Sequence, residues 1–297
     1  MDILFSICSQ GLIWSVLAVG LFITFRVLNF PDMTAEGSLT LGGVITSVFI
    51  CLNFHPMVGL FFAMIFGAMA GLITGFLHTK LKIPPIIAGI LTMISLYSIN
   101  IRIMGKANIS LLGKSNIFSI FKNSFFESAN SDVTIFVISL VFCFVLVFLI
   151  NLFFKTQIGL AVRATGDNEY MMRAQGANTD FKKILALMIS NGVCAISGSF
   201  ISQSQGYADV NMGVGSIVIA LASIVLGETI VNKNVASFNL RLISIIVGSI
   251  LYRMIIFIVL SLGMNPSDLK LITAIIATAF LAWPNFKNMK KKWCKNC

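Results

Sequence analysis

VTIFVISLVFCFVLVFLINLFF, Val133–Phe154, runs for 22 residues without one charged side chain. The hydrocarbon core of a bilayer is about 30 Å thick, and at a rise of about 1.5 Å per residue roughly 20 apolar residues cross it. A helix on the surface of a soluble core keeps a charged stripe, and this stretch has none. Met57–Leu77 reads the same way. Lipid, not water, is therefore the solvent from which the rest of the chain is read.

Composition agrees. Of 297 residues, 57% are hydrophobic and 11% charged, and the mean hydropathy is +0.94, whereas a soluble domain carries about 25% charged residues. Breakers and charges divide the chain into nine apolar segments: Cys8–Leu28, Ser38–Phe54, Met57–Thr79, Pro85–Ile103, Val133–Phe154, Ile184–Ser204, Ser216–Val231, Leu242–Met264 and Leu269–Trp283. The fold expected is all-α, a polytopic membrane protein of about nine (8–10) transmembrane helices in one transmembrane domain, 1–297. The first segment has no basic residue before it and no small-residue cleavage site after it, so it is read as a retained helix.

The net charge of +10 is placed as a membrane would place it, and nucleic acid is not an expected partner. On these spans Arg26, Lys80, Lys82, Lys155, Arg163, Arg173, Lys182, Lys183, Lys233, Arg241 and the lysines of the tail 285–297 share one side, opposite Arg102, Lys106, Lys114, Lys122 and Lys270. The positive-inside rule puts the tail and the loop 155–183 in the cytoplasm and the loop 104–132 outside.

Two stretches break the simple pattern. Asn29–Gly43 sets Pro31, Asp32, Glu36, Gly37, Gly42 and Gly43 between apolar runs. It reads either as a discontinuous second helix lining a cavity or as an aqueous turn. Gln205–Gly215 is polar and glycine-rich ahead of a short apolar segment and suits a re-entrant loop. Gly67, Gly71 and Gly75 recur every four residues and suit a close helix contact, within the chain or between copies. Arg253 stands near the middle of its segment, where a charge is costly and therefore a candidate for solute binding or for pairing with Asp32 or Glu36; a structural Arg at a helix interface is the alternative. Asp209 and Glu228 fall at segment ends, where water is expected to reach them. The six cysteines imply no disulfide framework, and Cys294 with Cys297 makes a poor metal site without further ligands.

The loop 155–183 reads KTQIGLAVRATGDNEYMMRAQGANTDFKK. Asp167 suits an N-cap, Glu169 the first turn and Gly176 the left-handed position after the end, giving a short exposed helix Asn168–Gln175. Its face, with Tyr170 and Ala174 four apart and Met171 beside them, is either a partner's dock or a plain surface.

These residues resemble the permeases of branched-chain amino acid, ribose and nucleoside ABC importers. The pattern G-x-x-x-R-A-x-G-x-N is matched by Gly159, Arg163, Ala164, Gly166 and Asn168, followed at shorter spacing by Ala174 and Gly176. Asn29-Phe30 with Glu36-Gly37, and Met212-Gly213 through Gly227-Glu228, are similar to the family's other signatures. Tyr252-Arg253 and Ser267–Leu271 are closest to the tryptophan or tyrosine uptake branch. The wording N-F-P-D-M-T-A-E-G departs from the branched-chain members at Pro31-Asp32, which bears on the solute. The resemblance implies a dimer of permease subunits in the bacterial cytoplasmic membrane, cytoplasmic ATP-binding subunits, and an extracytoplasmic solute-binding protein. ATP and Mg2+ would belong to the ATPase partner, with no cofactor or metal held here. Gly159, Arg163, Ala164, Gly166, Asp167, Asn168, Tyr170, Met171, Ala174 and Gly176 would couple to it. Asn29, Phe30, Asp32, Glu36, Ser38, Met212, Gly213, Tyr252 and Arg253 would line the solute pathway.

An enzyme is not expected. Gly113-Lys114-Ser115 has Asn108 where a P-loop needs its first glycine, there is no G-x-S-x-G, and His55 and His78 sit at opposite ends of one span. A secondary transporter driven by an ion gradient is the alternative, because such proteins also use broken helices and intramembrane charges.

Overall fold

The computed structural model describes residues 2–125, 131–230 and 237–262, with isolated positions between 271 and 278. The ninth apolar segment falls largely outside these residues, as do Lys233, Ser267–Lys270, Cys294, Cys297 and the tail 285–297. Among the described residues seven helices are long and apolar enough to cross a membrane, and an eighth is shorter; these eight take up the first eight of the nine segments expected.

In order they are α1 (Asp2–Phe22), α2 (Thr34–Cys51), α3 (Pro56–Thr79), α4 (Pro85–Met104), β1 (Asn108–Ser110), α5 (Ile117–Phe125), α6 (Ser131–Lys155), α7 (Gln157–Asp167), α8 (Glu169–Ala174), α9 (Thr179–Gln205), β2 (Tyr207–Asp209), α10 (Ser216–Ile230) and α11 (Phe238–Ser261). The last turn of α1 widens into a π-helix over Ile23–Val27. Pro56 and Pro85 open α3 and α4 at the position where a missing N–H costs nothing.

α1, α2 and α9 form the centre, and the other spans surround them. Their composition follows that placement. α2, with a mean hydropathy of only 1.3, has 78% of its span buried, whereas α6 at 3.2 has 28%. A lipid-facing helix must be apolar all round, while a central one can carry serine and threonine if each hydroxyl finds a partner. Thr46 donates to Ser199 at 2.8 Å and Ser38 to Asn191 at 2.7 Å, both between α2 and α9. Helix association in lipid depends on close packing. A Cβ at Gly42 would collide with the Ala195 carbonyl, and one at Gly71 with the Leu187 carbonyl. The Gly67, Gly71 and Gly75 stripe is thus a contact with α9 inside one chain.

β1 and β2 pair antiparallel, Ile109 opposite Ala208, which sets the ends of α4 and α9 on one face. The segment α7–α8 precedes α9 and lies on the opposite face. Arg163 stacks on Phe238 at the start of α11, and Lys82, Lys183 and Arg173 line one surface hollow. Of the basic residues expected on the loop face, Lys82, Arg163, Arg173 and Lys183 are there, while Lys114 bonds Asn53 on the sheet face at 2.9 Å. The loop 104–132 is more structured than its polarity suggests, holding β1 and α5, with Phe118 of α5 against Phe200 of α9 at 6.0 Å.

α2 is continuous. The interruption expected within Asn29–Gly43 falls before it, over residues 28–33, and it is not an aqueous turn: Asp32 is fully buried. Its Oδ1 accepts the Thr34 N–H at 2.9 Å and its Oδ2 the Asn191 amide at 2.7 Å. Gly42 and Gly43 are there for close approach, to Ala195 and to the Met212 side chain.

The break within the membrane lies instead at 210–215. Val44 packs with Ala208 and Val210 beside the sheet, yet the Gly215 N–H donates to Glu36 Oε1 at 3.0 Å. Glu36 is eight residues nearer the start of α2, about 12 Å deeper. The turns after β2 therefore descend along α2, and α10, 15 residues long, begins inside the bilayer thickness, as the glycine-rich wording suggested.

Candidate functional site

On the loop face the polar run after Lys155 is two helices. Thr156 caps α7 by accepting the Gly159 N–H at 3.2 Å, and a Cβ on Gly159 would strike the Phe153 carbonyl, so the α6–α7 corner needs glycine. Gly166 abuts the Val27 carbonyl, and its own carbonyl accepts the Asn29 amide at 2.9 Å. The Arg163 guanidinium lies 5.0 Å from the Phe238 ring centre. Ala164 accepts the Asn168 N–H at 2.9 Å, closing α7.

The cap is displaced by one residue from expectation. Asp167 is the last residue of α7. Asn168 caps α8, its Oδ1 accepting the Met171 N–H at 3.0 Å. Because α7 extends through Asp167, the only residue with extended backbone left to start α8 is Asn168 (φ −154°). Gly176, at φ +80°, takes the left-handed position expected of it.

Sequence reading missed what braces α8. Glu169 accepts Arg173 Nη2 and Lys183 Nζ, both at 2.7 Å, and Thr179 Oγ1 at 3.3 Å. Partial burial would raise the Glu169 pKa, but the bond and charge of Lys183, the charge of Arg173 and the Thr179 hydroxyl outweigh it and hold the carboxyl below its usual range. On this brace Tyr170 stands 84% exposed and Met171 46%, with Ala174 also in the open. An aromatic ring and a thioether held out by a fixed two-turn element suit a partner's groove.

The residues grouped as a pathway separate. Asn29 and Phe30 belong to the loop-face turn, Phe30 lying edge-on to His78 at 5.1 Å. Asp32 and Ser38 are bound to Asn191 in the centre of the helix packing. Met212 fills the space over Gly43. Tyr252 is fully buried, and Arg253 lies 4.4 Å over the Trp14 ring of α1, where it lines a hollow with Gln10 and Asp132. Arg253 pairs with neither Asp32 nor Glu36. Glu228 is not left to water: it binds Arg26 at 2.7 Å. Among the described residues no group of three His, Cys, Asp or Glu side chains comes together to hold a metal.

Glu36 and Gly213 remain together, in a cavity of about 340 Å³. α2 contributes Glu36, Gly37 and Thr40, α4 contributes Met93, Ile94, Tyr97 and Asn100, and the descending turns contribute Val210, Asn211, Gly213 and Val214. Met93, Tyr97 and Asn100 fall at helical spacing on one face of α4. Asn100 is 1% exposed, and among the described residues neither its Oδ1 nor its Nδ2 has a hydrogen-bond partner. The available signal for it was an asparagine inside a span of bilayer length.

The family model described as branched-chain amino acid transport system / permease component matches residues 3–282. The tyrosine transport system permease protein of Clostridioides difficile (strain R20291) is 43% identical over 97% of this chain and 93% of its own length. The ribose import permease protein RbsC of Escherichia coli (strain K12) is 21% identical over 76% of this chain and 69% of its own. A solved structure, PsaBC from Streptococcus pneumoniae in complex with Fab, is similar at a TM-score of 0.50 and 19% identity, covering 93% of this chain and 88% of that one.

Proposed function

Since the chain belongs to the branched-chain amino acid transport system / permease component family, and is a multi-pass membrane protein, we propose that it is the permease subunit of an ABC importer for an amino acid, with an aromatic solute as the cargo. The cargo follows the tyrosine transport system to which the 43% identical relative belongs. ATP and Mg2+ are held by cytoplasmic partner subunits, which dock on α7–α8; an extracytoplasmic binding protein delivers solute to the sheet face; and a second copy completes the pathway. The loop face is read as cytoplasmic because most of the described basic residues lie on it, and the lysines of the tail 285–297 assign the tail to the same side by the same rule.

The observation that carries the reading is α8: a helix of six residues, tied to α9 by the Glu169–Lys183 and Arg173–Asp180 ion pairs, that presents Tyr170 and Met171 to solvent. A carrier working alone on an ion gradient has no need of such a projection. α4 supports the second copy. It is as exposed as α6, with 28% of its span buried, yet its mean hydropathy is only 1.7 against 3.2. Ser95, Tyr97 and Ser98 are among its exposed residues, a composition suited to a water-filled path rather than lipid. Nucleotide binding in the partners then biases the permease pair between outward-open and inward-open packings, moving the site from one side to the other.

Copurification tests the dock. The wild-type chain is expected to bring its ATPase subunit through affinity and size-exclusion steps, and Tyr170→Asp with Met171→Asp to lose it while remaining folded in the membrane fraction. Retention of the ATPase by the double variant would reject α8 as the dock.

A further inference from the structure

The cavity between α2, α4 and the turns 210–215 has polar groups at both ends and apolar walls between them. At the inner end is Glu36. Its Oε1 is fixed by the Gly215 N–H at 3.0 Å, and a carboxylate has about four acceptor sites, so capacity remains for a charged donor. At the outer end, two helical turns along α4 from Met93 and about 10 Å away, is Asn100. Its amide is buried with no partner on either atom among the described residues. An amide in that state at membrane depth is costly, and the cost is removed when Oδ1 finds a donor and Nδ2 an acceptor, which one hydroxyl can supply. Met93, Ile94 and the Tyr97 ring line the space between.

We propose that this cavity is a resting site for the solute inside the permease, and that it selects a primary ammonium at Glu36, a flat apolar body along Ile94 and Tyr97, and a hydroxyl at Asn100. An aromatic amino acid with a ring hydroxyl meets all three conditions. The ammonium neutralises a carboxylate that is otherwise without a positive partner among the described residues. The ring fills the apolar middle. The hydroxyl gives its proton to Asn100 Oδ1 and accepts from Nδ2, matching the two unpartnered atoms at once. The assignment rests on the reading that the cargo is an amino acid, and adds which end of it meets which residue.

The test uses the whole importer, permease with its ATPase and binding protein, in proteoliposomes. Maximal ATP-driven uptake of tyrosine is compared with that of phenylalanine and of the deaminated analogue 3-(4-hydroxyphenyl)propionate. The wild type is expected to carry tyrosine faster than phenylalanine and to refuse the deaminated acid. Glu36→Gln keeps an acceptor for the Gly215 N–H but loses the charge, and is expected to lower the tyrosine rate about tenfold or more. Asn100→Leu breaks no internal hydrogen bond, and is expected to bring the tyrosine-to-phenylalanine ratio down about fivefold, toward one. Being a ratio, that readout does not depend on how much protein is assembled. An unchanged ratio in Asn100→Leu, or a wild-type tyrosine rate in Glu36→Gln, would overturn the site while leaving the cargo reading intact. A wild-type importer that accumulates neither amino acid overturns the cargo reading and the site together.

Discussion

Asn168 and Asp167 are adjacent, both are good capping residues, and only one of them caps. The Asn168 side chain holds the Met171 N–H, and its loss costs about 1 kcal/mol of local helix stability. Asn168→Ala is therefore expected to lower hydrogen-exchange protection over residues 171–174, whereas Asp167→Ala leaves it unchanged; equal effects would contradict the assigned cap. Glu169 adds a pH dependence. Its folded pKa lies below the ordinary 4.5, so its contribution is fully present above that value and is lost as pH falls through the folded one. Protection of α8, corrected for intrinsic exchange, is expected to hold from neutral pH down to about 4.5 and to fall below it. Glu169→Gln should abolish that step. The cap was off by one because residues 157–167 read as polar loop: the glycines and Thr165 hide an α-helix whose buried face is only Gly159, Val162 and Thr165.

At the scale of elements, the spans were legible because each is an apolar run with at most one charged side chain in it. The eight described segments match the helices found to within six residues at each end. What was not legible is which of them meet. Gly42 looked like part of a helix break, since nothing local distinguishes a breaker from a contact residue; it lies in mid-helix, pressed on the Ala195 carbonyl of a span more than 150 positions away. Gly42→Val is expected to force α2 from α9 and to lower the melting temperature of the detergent-solubilised protein by several degrees, beyond the effect of valine at an open helical position. A melting temperature equal to wild type would mean the two helices are not in the contact described. The cavity was half legible for the same reason. Glu36 and Gly213 carried a signal in the sequence, but Asn100 and Tyr97 become part of the site only because the turns 210–215 descend beside α4.

For the whole molecule, three features depend on one another: a buried central layer of α1, α2 and α9 that carries internal polar contacts, a shell of more exposed spans around it, and a braced projection on the basic face. The central layer tolerates Asp32, Asn191 and Ser38 because they satisfy one another. The short α10 gives a place inside the bilayer where backbone and side-chain polar groups can face a cavity rather than lipid. Arg26 and Glu228 tie the inner ends of α1 and α10 together, so motion of the loop face is mechanically linked to the cavity end of α10. Each is of use to a pathway opened and closed from the cytoplasmic side. The most direct measurement is uptake of labelled tyrosine into proteoliposomes containing the purified chain with and without its ATPase and binding protein. Accumulation is expected only with the full set, to stop when ATP hydrolysis is blocked, and to persist when ionophores abolish sodium and proton gradients. Accumulation by this chain alone, driven by an imposed ion gradient and unaffected by ATP, would contradict the account.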